Sequence, residues 1–469
     1  MPATLSTLSA IKDCLLRERT LGRRPANPAR RKRNRQRGVA LFAVMIAIAI
    51  VLVFTGEFGT STSVDLMAAA NYRDQMRAHF LARSAINLSE LVIRIQQRLD
   101  NTKIGGTRLS DMGIRITDFA DQVLLAFCGN PEEVQSMVGF SSSDVKGLGV
   151  DIGTCGIVNR TITTDDDKIN LNCAHGGNAA EDLLKATLDG LIYFPAYDPV
   201  FEEADAEGYR RDRATQVSAL LDYIDGDSVH IHDIGTTEDY GYESLRDKYK
   251  PKNNYLDTLG EVRLVRGVDD RFWTLFGPAF TVYGSCKVNL SVATNPQLIA
   301  AILFLAAKQN DPILQDPIKL FALAGLVAQA KQFGEQFNKS QDFADFVKDP
   351  QASIGMLAGK TGTLAGSAAG AALANGIPAL AGQKLGMELE TKKLDQIASF
   401  GPRRTYRVEA FGEIERKQKS ADGSPVFPAI RATVTGVWDT KVVPQNARKP
   451  PTAPSGVPPK GAWVFLRED

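Results

Sequence analysis

Histidine and catalytic motifs are scarce in this chain of 469 residues. It contains four histidines and five cysteines, and no H-E-x-x-H, C-x-x-C or G-x-S-x-G pattern occurs. The segment GKTGT at 359–363 is not a phosphate loop, because Gly355 and Gly359 are one residue too close and no apolar strand precedes them. The sequence therefore carries no local signature of an enzyme, and we expect a non-enzymatic protein.

Charge is distributed unevenly along the chain. The net charge is +1, but residues 1–38 hold 11 Lys and Arg against 2 Asp and Glu, and the remainder holds 44 basic and 52 acidic residues. A basic leader of this kind is expected to stay on the cytoplasmic side of a membrane. The acidic remainder argues against nucleic-acid binding and leaves carboxylates available for cations.

A long apolar stretch follows the arginine-rich leader. It runs from Val39 to Gly56, and at about 1.5 Å per residue it spans roughly 27 Å, which is near the thickness of a hydrocarbon core. Three interpretations are open. A secretory signal peptide would end near residues 68–70, well beyond the apolar core; a signal anchor would be retained; a pilin-type signal would be cut after Gly38. Local features favour the pilin-type signal.

The cysteines suggest a disulfide in the region beyond the membrane stretch. Without the leader four cysteines remain, an even number that is compatible with two disulfides. Stretches rich in β-forming residues at 156–164 and 168–172 flank a polar Asp-Asp-Asp turn and predict a hairpin over 150–173. In that hairpin Cys155 and Cys173 lie about opposite each other, so they are our disulfide candidates. Four buried free thiols are the alternative.

The remaining pattern predicts an α+β protein. Apolar residues repeat at helical spacing through Leu81, Ala85, Leu88, Val92, Ile95 and Leu99, so that one long helix could extend from Val39 to about Leu99. Residues 175–350 are mostly helical in pattern, and a Gly/Ala-rich insertion at 355–386 and a Pro-rich stretch at 444–459 are expected to be irregular. Strands at 405–414 and 429–438 follow, which predicts one sheet interrupted by a helical insertion.

An acidic cluster is the best candidate for a metal site. The segment LLDYIDGDSVHIHDIGTTEDYGY places Asp225 and Asp227 around Gly226, with Glu238 and Asp239 further on. Calcium prefers six to eight oxygen ligands on a loop that can curl around the ion. The spacing does not match an EF-hand, and a solvated acidic loop is the alternative.

Five stretches in order resemble the K-type minor pseudopilins of bacterial type II secretion systems. The resemblance covers the chain from about Arg37 to Trp438. It rests on RGVALFAVMIAIAI, DDDKINLN, the block of VSALLDYIDGD, TTEDYGY and LGEVRLVRG, then VNLSVATNPQLIAAI, and YRVEAFGEI. The resemblance implies a pilin-like fold, in which a long N-terminal helix packs on an antiparallel sheet and a large helical domain is inserted in the sheet.

The resemblance also implies processing at the N-terminus. Prepilin peptidase would cut between Gly38 and Val39, and Val39 would become the N-methylated terminus. Most pilin-like subunits carry a glutamate four residues later, where this chain has Ala43. That glutamate neutralises the terminal amine of a neighbouring subunit, and a carboxylate in lipid is costly without such a partner. A subunit at the tip of the filament has no neighbour above it and can dispense with the acid.

Division of the chain into domains follows from the pattern and the resemblance together. The expected segments are a cleaved basic leader (1–38), a transmembrane and filament-core helix (39–56), the rest of the N-terminal helix (57–105), the first part of the pseudopilin domain (106–174), an inserted helical domain (175–400), returning strands (401–440) and a Pro-rich tail (441–469).

The expected function is that of a structural minor pseudopilin at the tip of the type II secretion pseudopilus, supporting export of folded proteins across the outer membrane. The resemblance implies binding of structural calcium by Asp225, Asp227, Glu238 and Asp239. It implies as partners the minor pseudopilins of types I and J, prepilin peptidase, the assembly platform and the lipid bilayer. The chain would be a single-pass protein of the bacterial inner membrane with its bulk in the periplasm. The alternatives are a minor pilin of a type IV pilus or competence system, and a membrane-anchored periplasmic hydrolase.

Overall fold

The structure is a computed structural model that describes most of the chain after the basic leader. The described residues are 37–104, 107–108, 115–128, 153–203, 212–226, 242, 247–332, 335–350, 353, 385–415, 428–442 and 461–468. They form two compact units, one ending at Ala70 and the other beginning at Asn71. The predicted Gly/Ala-rich insertion (355–386) and the Pro-rich stretch at 444–459 lie almost wholly outside these residues.

Helix α1 spans Arg37–Asn101, 65 residues, and contains the apolar stretch. It continues without a break through the GTSTS segment at 59–63, although glycines such as Gly56 and Gly59 weaken helices locally. Hydroxyl groups there bond back to the helix backbone: Thr62 donates to the carbonyl of Phe58 at 2.8 Å and Ser63 to that of Gly59 at 2.8 Å. These bonds satisfy polar side chains within the helix itself.

A four-stranded antiparallel sheet is the largest sheet among the described residues. Its strand order is β10-β9-β8-β3, with β3 at Thr154–Ile157, β8 at Thr405–Ile414, β9 at Ile430–Asp439 and β10 at Ala462–Glu468. Strands β8 and β9 form a long hairpin in which every residue of β8 has a partner on β9. Short two-residue strands are β1 (Lys103–Ile104), β2 (Thr107–Arg108), β4 (Ile169–Asn170), β5 (Phe280–Thr281), β6 (Val288–Asn289) and β7 (Ala398–Ser399).

The second half of α1 packs on this sheet through small side chains. A Cβ atom on Gly412 of β8 would lie 2.1 Å from the carbonyl oxygen of Ala78 and 2.6 Å from the backbone nitrogen of Ala82. The predicted apolar stripe is therefore only partly right. Ala85 and Val92 are buried, whereas Ile95 is 41% exposed, because the close approach turns the alanine face of the helix toward the sheet.

A helical domain lies between β3 and β8 in the chain, as predicted. Its helices are α3 (Asn178–Ile192), α4 (Asp198–Glu202), α5 (Arg213–Asp222), α6 (Asp270–Phe276), α7 (Pro296–Ala306), α8 (Pro317–Gln332), α9 (Ser340–Lys348) and α10 (Thr391–Ile397); α2 (Ala120–Cys128) precedes β3. One continuous apolar core extends from Ile169 to Ala398, and a separate core joins α1 to the sheet. The long helix, the antiparallel sheet and the helical insertion confirm the predicted fold class.

The predicted hairpin over 150–173 is wrong. Strand β3 pairs with β8, Cys155 opposite Gly412, and β4 pairs in parallel with β5, Ile169 opposite Phe280. The Asp-Asp-Asp segment between them is a turn, as expected, but Asp165 and Asp166 are buried rather than solvated. Buried acids bonded to β8 leave no local hairpin, because they tie this turn to a strand more than 200 residues away.

The predicted Cys155–Cys173 disulfide is also wrong. Cys173 is bonded to Cys286, 113 residues later in the chain, and Cys155 lies in a different disulfide. The prediction depended on the hairpin, and without it the two sulfur atoms have no reason to meet. Cys173 lies just after β4 and Cys286 a few residues after β5, so the parallel pairing of these strands brings them together.

The end of the chain adds a strand that the sequence did not reveal. Ala462–Glu468, assigned to the Pro-rich tail, form the edge strand β10 and pair with β9. Trp463 packs edge-on against Trp438 at 5.3 Å between ring centroids and donates from its indole nitrogen to Glu90 of α1 at 3.0 Å. These contacts connect the strand both to the sheet and to α1.

Candidate functional site

Helix α5 places Asp225, the first residue of the predicted metal set, at a fixed position. The helix begins with Asp212, whose carboxylate accepts a hydrogen bond from the backbone nitrogen of Thr215 at 2.7 Å, the usual N-cap arrangement. Its apolar residues Val217 and Leu221 are buried in the domain core. The backbone nitrogen of Asp225 donates to the carbonyl of Leu221 at 2.9 Å, and Asp225 is only 6% exposed.

Two further motifs of the family block converge beside α5. The amide of Gln216 donates to the carbonyl of Arg266 at 3.2 Å, and the backbone nitrogen of Arg266 donates to the hydroxyl of Tyr242 at 3.1 Å. Burial raises the pKa of Tyr242 well above its usual range, so its hydroxyl stays protonated. Buried polar contacts therefore hold together Gln216, which directly precedes VSALLDYIDGD, Tyr242 at the end of TTEDYGY and Arg266 of LGEVRLVRG.

The KINLN stretch is connected to two loops of the same domain by hydrogen bonds of its last residue, Asn172. The side-chain amide of Asn172 donates to the carbonyls of Leu256 and Val282, both at 3.0 Å, and its oxygen accepts from the backbone nitrogen of Leu256 at 2.7 Å. One partly buried asparagine thus satisfies backbone groups from two separate loops. The sequence marked this stretch as a strand, but the role of Asn172 is visible only once the loops are placed.

His175 is a residue of this region that sequence reasoning missed. Its ring lies 4.2 Å from that of Tyr255, and a Cβ atom on Gly226 would be 3.0 Å from its Cε1. A side chain at position 226 would therefore crowd the His175 ring, which favours the glycine between Asp225 and Asp227. No spacing rule in the sequence connects His175 to residue 226, some 50 positions later.

The other predicted calcium ligands, Asp227, Glu238 and Asp239, lie outside the described residues. Asp222 and Asp225 are both buried at the end of α5, immediately before that segment. Within the described part of the chain no group of three or more His, Cys, Asp or Glu side chains could hold a metal ion. The calcium set stays a prediction.

The predicted processing site lies at the start of α1. Gly38 and Val39 belong to the helix, which has no acidic residue in its first turn, and Ala43 occupies the position discussed above. The helix is long and apolar enough to cross a membrane, and the apolar window in it is 0% buried within the protein. Large side chains such as Phe42, Leu52 and Phe54 are 65% exposed or more. Such a surface requires lipid or other helices around it.

A buried cluster of charged residues links the helical domain to the sheet. Asp165 forms ion pairs with Arg407 at 2.6 Å and Lys168 at 3.0 Å. Burial alone would raise the pKa of Asp165, but these two cations lower it below its usual value. Asp166 accepts hydrogen bonds from the backbone nitrogen of Thr405 at 3.1 Å and from its hydroxyl at 2.8 Å. The acids at 165 and 166 are therefore structural and are not metal ligands.

Comparisons with known proteins agree with the sequence motifs. The sequence model of the family "Type II secretion system (T2SS), protein K" matches residues 168–285, which include the KINLN stretch and the whole block around α5. The type II secretion system protein K of Aeromonas hydrophila is 22% identical over 272 residues, which are 58% of this chain and 70% of that protein.

One solved structure is similar over much of the chain. It is the GspK-GspI-GspJ complex of the type 2 secretion system of enterotoxigenic Escherichia coli, with 13% identity, a TM-score of 0.37 and coverage of 68% of this chain and 80% of that chain. The family match falls on the residues that build the region around Asp225, and the motifs before and after it occur in the expected order. Residues 168–285 of this chain are therefore similar to the type II secretion system protein K family, and the curated relative extends the similarity beyond that segment.

Proposed function

We propose that this chain is a non-enzymatic subunit at the tip of the type II secretion pseudopilus, anchored in the bacterial inner membrane by α1. The observation that carries the proposal is the start of α1, where the residues that follow Gly38 are apolar and Ala43 stands at the position of the usual glutamate. A carboxylate buried in lipid needs the terminal amine of a neighbouring subunit as its partner. A subunit with no neighbour above it in the filament has no such amine to neutralise, so it can omit the acid.

Processing at Gly38 is part of this proposal. Cleavage after Gly38 by prepilin peptidase removes the basic leader and leaves Val39 as the methylated terminus of a helix that is apolar up to Glu57. The helix can then pack beside other pseudopilin helices, because the small residues Ala43, Ala47 and Ala49 permit close approach.

The minor pseudopilins of types I and J are the proposed partners. The Escherichia coli protein to which this chain is similar is described in a complex with GspI and GspJ. The inner-membrane assembly platform and the lipid bilayer are further expected contacts of the processed subunit. Loss of the chain should abolish secretion of exoproteins. Loss of twitching or DNA uptake with normal secretion would instead indicate a type IV pilus or competence system.

Intact mass of the membrane-extracted protein tests the processing directly, with and without co-expressed prepilin peptidase. We expect loss of residues 1–38 and addition of one methyl group to Val39 only when the peptidase is present. A retained leader in both samples, or cleavage after Ala70, would overturn the pseudopilin mechanism and return the anchored hydrolase as the best explanation.

Calcium is proposed as a structural ion held by Asp225 with Asp227, Glu238 and Asp239. Bound calcium would neutralise these carboxylates and fix the acidic segment against α5. Calcium should raise the melting temperature in a saturable manner that EGTA reverses, and Asp225→Asn should remove this effect. Asp182→Asn, an exposed acid on α3, is the matched control. Equal calcium responses in both variants would exclude Asp225 as a ligand.

A further inference from the structure

Two arginines from different parts of the chain line one small cavity. Arg115 precedes a short helical turn at Ile116–Phe119, and Arg403 lies just before β8. The cavity has a volume of about 20 Å³, is also lined by Tyr406 and Asp100, and lies where the end of α1 meets the helical domain. That volume accommodates about one water-sized group.

The hydrogen-bonding capacity of the two guanidinium groups is largely unused. Arg403 uses a single nitrogen, Nη1, for an ion pair with Asp118 at 3.2 Å and for contacts at 3.4 Å to Thr117 and to the carbonyl of Ile162, and its Nε is buried with no hydrogen-bond partner. Arg115 forms no hydrogen bond or ion pair with any side chain that the structure describes. Arginine has five donors in a fixed geometry, so two such groups beside one cavity are unusual.

The nearby acid Asp100 does not compensate for these charges. Asp100 is 8% exposed and accepts a hydrogen bond from the amide of Gln96 at 2.8 Å, and within the described part of the chain no ion pair joins it to either arginine. Burial raises the pKa of Asp100, and burial together with the neighbouring charge of Arg403 lowers the pKa of Arg115. The lowered pKa of Arg115 has the sign expected for a local excess of positive charge, whereas the raised pKa of Asp100 reflects its burial.

A second, wider cavity with a mainly cationic lining borders the small one. It has a volume of about 570 Å³, shares Asp100 and Arg403 with the small cavity, and adds Lys287, Arg404 and Lys441 to its lining. Arg404 is paired with Asp439 at 2.8 Å, and Lys287 donates to a backbone carbonyl. A ligand that reaches Arg115 and Arg403 through this space would therefore still pass more positive than negative groups.

We infer that Arg115 and Arg403 form a binding site for a carboxylate, supplied either by a small carboxylic acid or by an acidic side chain of a partner protein. Guanidinium groups bind planar carboxylates through paired hydrogen bonds, and these charge-assisted bonds are among the strongest in proteins. One carboxylate oxygen fills the small cavity, and the rest of the ligand occupies the larger one. The site uses none of the proposed calcium ligands and no residue of the apolar stretch at 39–56.

Thermal unfolding of the full-length protein in detergent micelles tests the site. Sodium acetate replaces sodium chloride at constant ionic strength, so that general screening is unchanged. We expect a saturable rise in melting temperature of roughly 2–4 °C for the natural protein. The rise should be lost in Arg115→Gln and kept in Arg77→Gln, which removes the same charge from an exposed position on α1.

Stability without acetate separates ligand binding from a structural role. If Arg115 serves the ligand, Arg115→Gln should melt at the same temperature as the natural protein or higher, because it removes a poorly compensated charge. A lower melting temperature for this variant, or an acetate response equal in both variants, would overturn the proposal. Arg115→Lys keeps the charge without the paired donors and should retain only part of the response.

The source of the carboxylate is decided by binding of the purified J-type and I-type pseudopilins to the same variants. At least tenfold weaker binding to Arg115→Gln than to Arg77→Gln would assign the carboxylate to an acidic side chain of a partner. Unchanged partner binding together with a lost acetate response would assign it to a small carboxylic acid. An acetate response that survives in Arg115→Gln would contradict both.

Discussion

At the scale of single residues, buried ions connect distant parts of this chain. Asp165 has a side chain that is 0% exposed, and its partners Arg407 and Lys168 are 25% and 28% exposed. A buried carboxylate is tolerated only when cations and hydrogen bonds replace its hydration. The Asp-Asp-Asp run was expected to be a polar surface turn, and the reason for the difference is Arg407, which lies on β8 and is invisible to local sequence reasoning.

Removal of the Asp165 charge should therefore destabilise the protein. Asp165→Asn leaves Arg407 without an anion, and we expect a loss of about 3 kcal/mol in the free energy of unfolding. Because the pKa of Asp165 is lowered in the folded state, its contribution is present above the unfolded pKa of about 4 and is lost as the pH falls through the folded value.

Urea unfolding of the full-length protein at pH 7 measures this loss. Asp316→Asn, which removes one partner of an exposed ion pair with Lys319, is the control and should change the midpoint little. Equal effects of the two substitutions would show that the Asp165 pair is not a buried determinant of stability.

A second charged side chain, that of Lys331, makes stability depend on pH in the neutral to alkaline range. Lys331 on α8 donates from Nζ to the backbone carbonyls of Leu290 and Ala293, and burial lowers its pKa to about 7. In the unfolded chain a lysine titrates near 10.4. Between these values the unfolded state binds more protons, so stability should rise with pH, by about 2 kcal/mol from pH 7 to pH 9.

Replacement of this lysine should remove the rise. Lys331→Met should show urea midpoints that are nearly the same at pH 7 and pH 9, whereas Lys339→Met, at an exposed position, should keep the pH dependence of the natural protein. A natural protein whose stability is flat or falls over this range would contradict the assignment.

At the scale of elements, the packing of α1 on the sheet depends on the absence of side chains. Ala78 and Ala82 are fully buried, and Gly412 faces them at a distance that excludes any Cβ atom. Apolar periodicity in α1 predicted a helix correctly but placed the buried stripe on its larger side chains. Periodicity identifies the apolar face of a helix. It does not predict the close approach of two backbones, because that approach depends on a glycine in a strand more than 300 residues away.

A methyl group at this contact should be costly. Gly412→Ala forces the helix and the strand apart, and we expect a loss of at least about 1–3 kcal/mol in unfolding free energy. Gly325→Ala on α8 is the matched control, because nothing lies within 4 Å of its added Cβ and helix propensity favours alanine by about 1 kcal/mol. Chemical unfolding of both variants checks the opposite signs, and a neutral Gly412→Ala would mean that α1 does not contact β8 so closely.

At the scale of the whole molecule, the helical domain is a long insertion that leaves the sheet after β3 and returns at β8. The Cys173–Cys286 disulfide closes 113 residues of this insertion, and the buried acids at 165 and 166 fasten its entry point to β8. Disulfides that close long loops restrict the unfolded chain most strongly. The insertion is thereby fastened both at its entry point and within its interior.

Loss of this disulfide should weaken the whole domain. Cys286→Ser should lower the free energy of unfolding by about 2–4 kcal/mol, measured by urea unfolding in a non-reducing buffer. Peptide mapping without reductant should recover the peptides of Cys173 and Cys286 linked to each other. Recovery of a Cys155–Cys173 peptide instead would contradict the structure and restore the hairpin.

The sequence by itself determined the features that depend on local pattern. Neighbouring residues were enough to identify the apolar stretch after Gly38, the absence of an acid at Ala43, the helical pattern of the insertion and the order of the motifs. These features carry the resemblance to the K-type family. Only the tertiary structure decided the contacts between distant residues: the partner of Cys173, the strand at Ala462–Glu468, the burial of Asp165 and the meeting of Arg115 with Arg403. These contacts depend on which segments lie together after folding. Periodicity and spacing describe residues that are near each other in the sequence, so they do not show which distant residues meet in space.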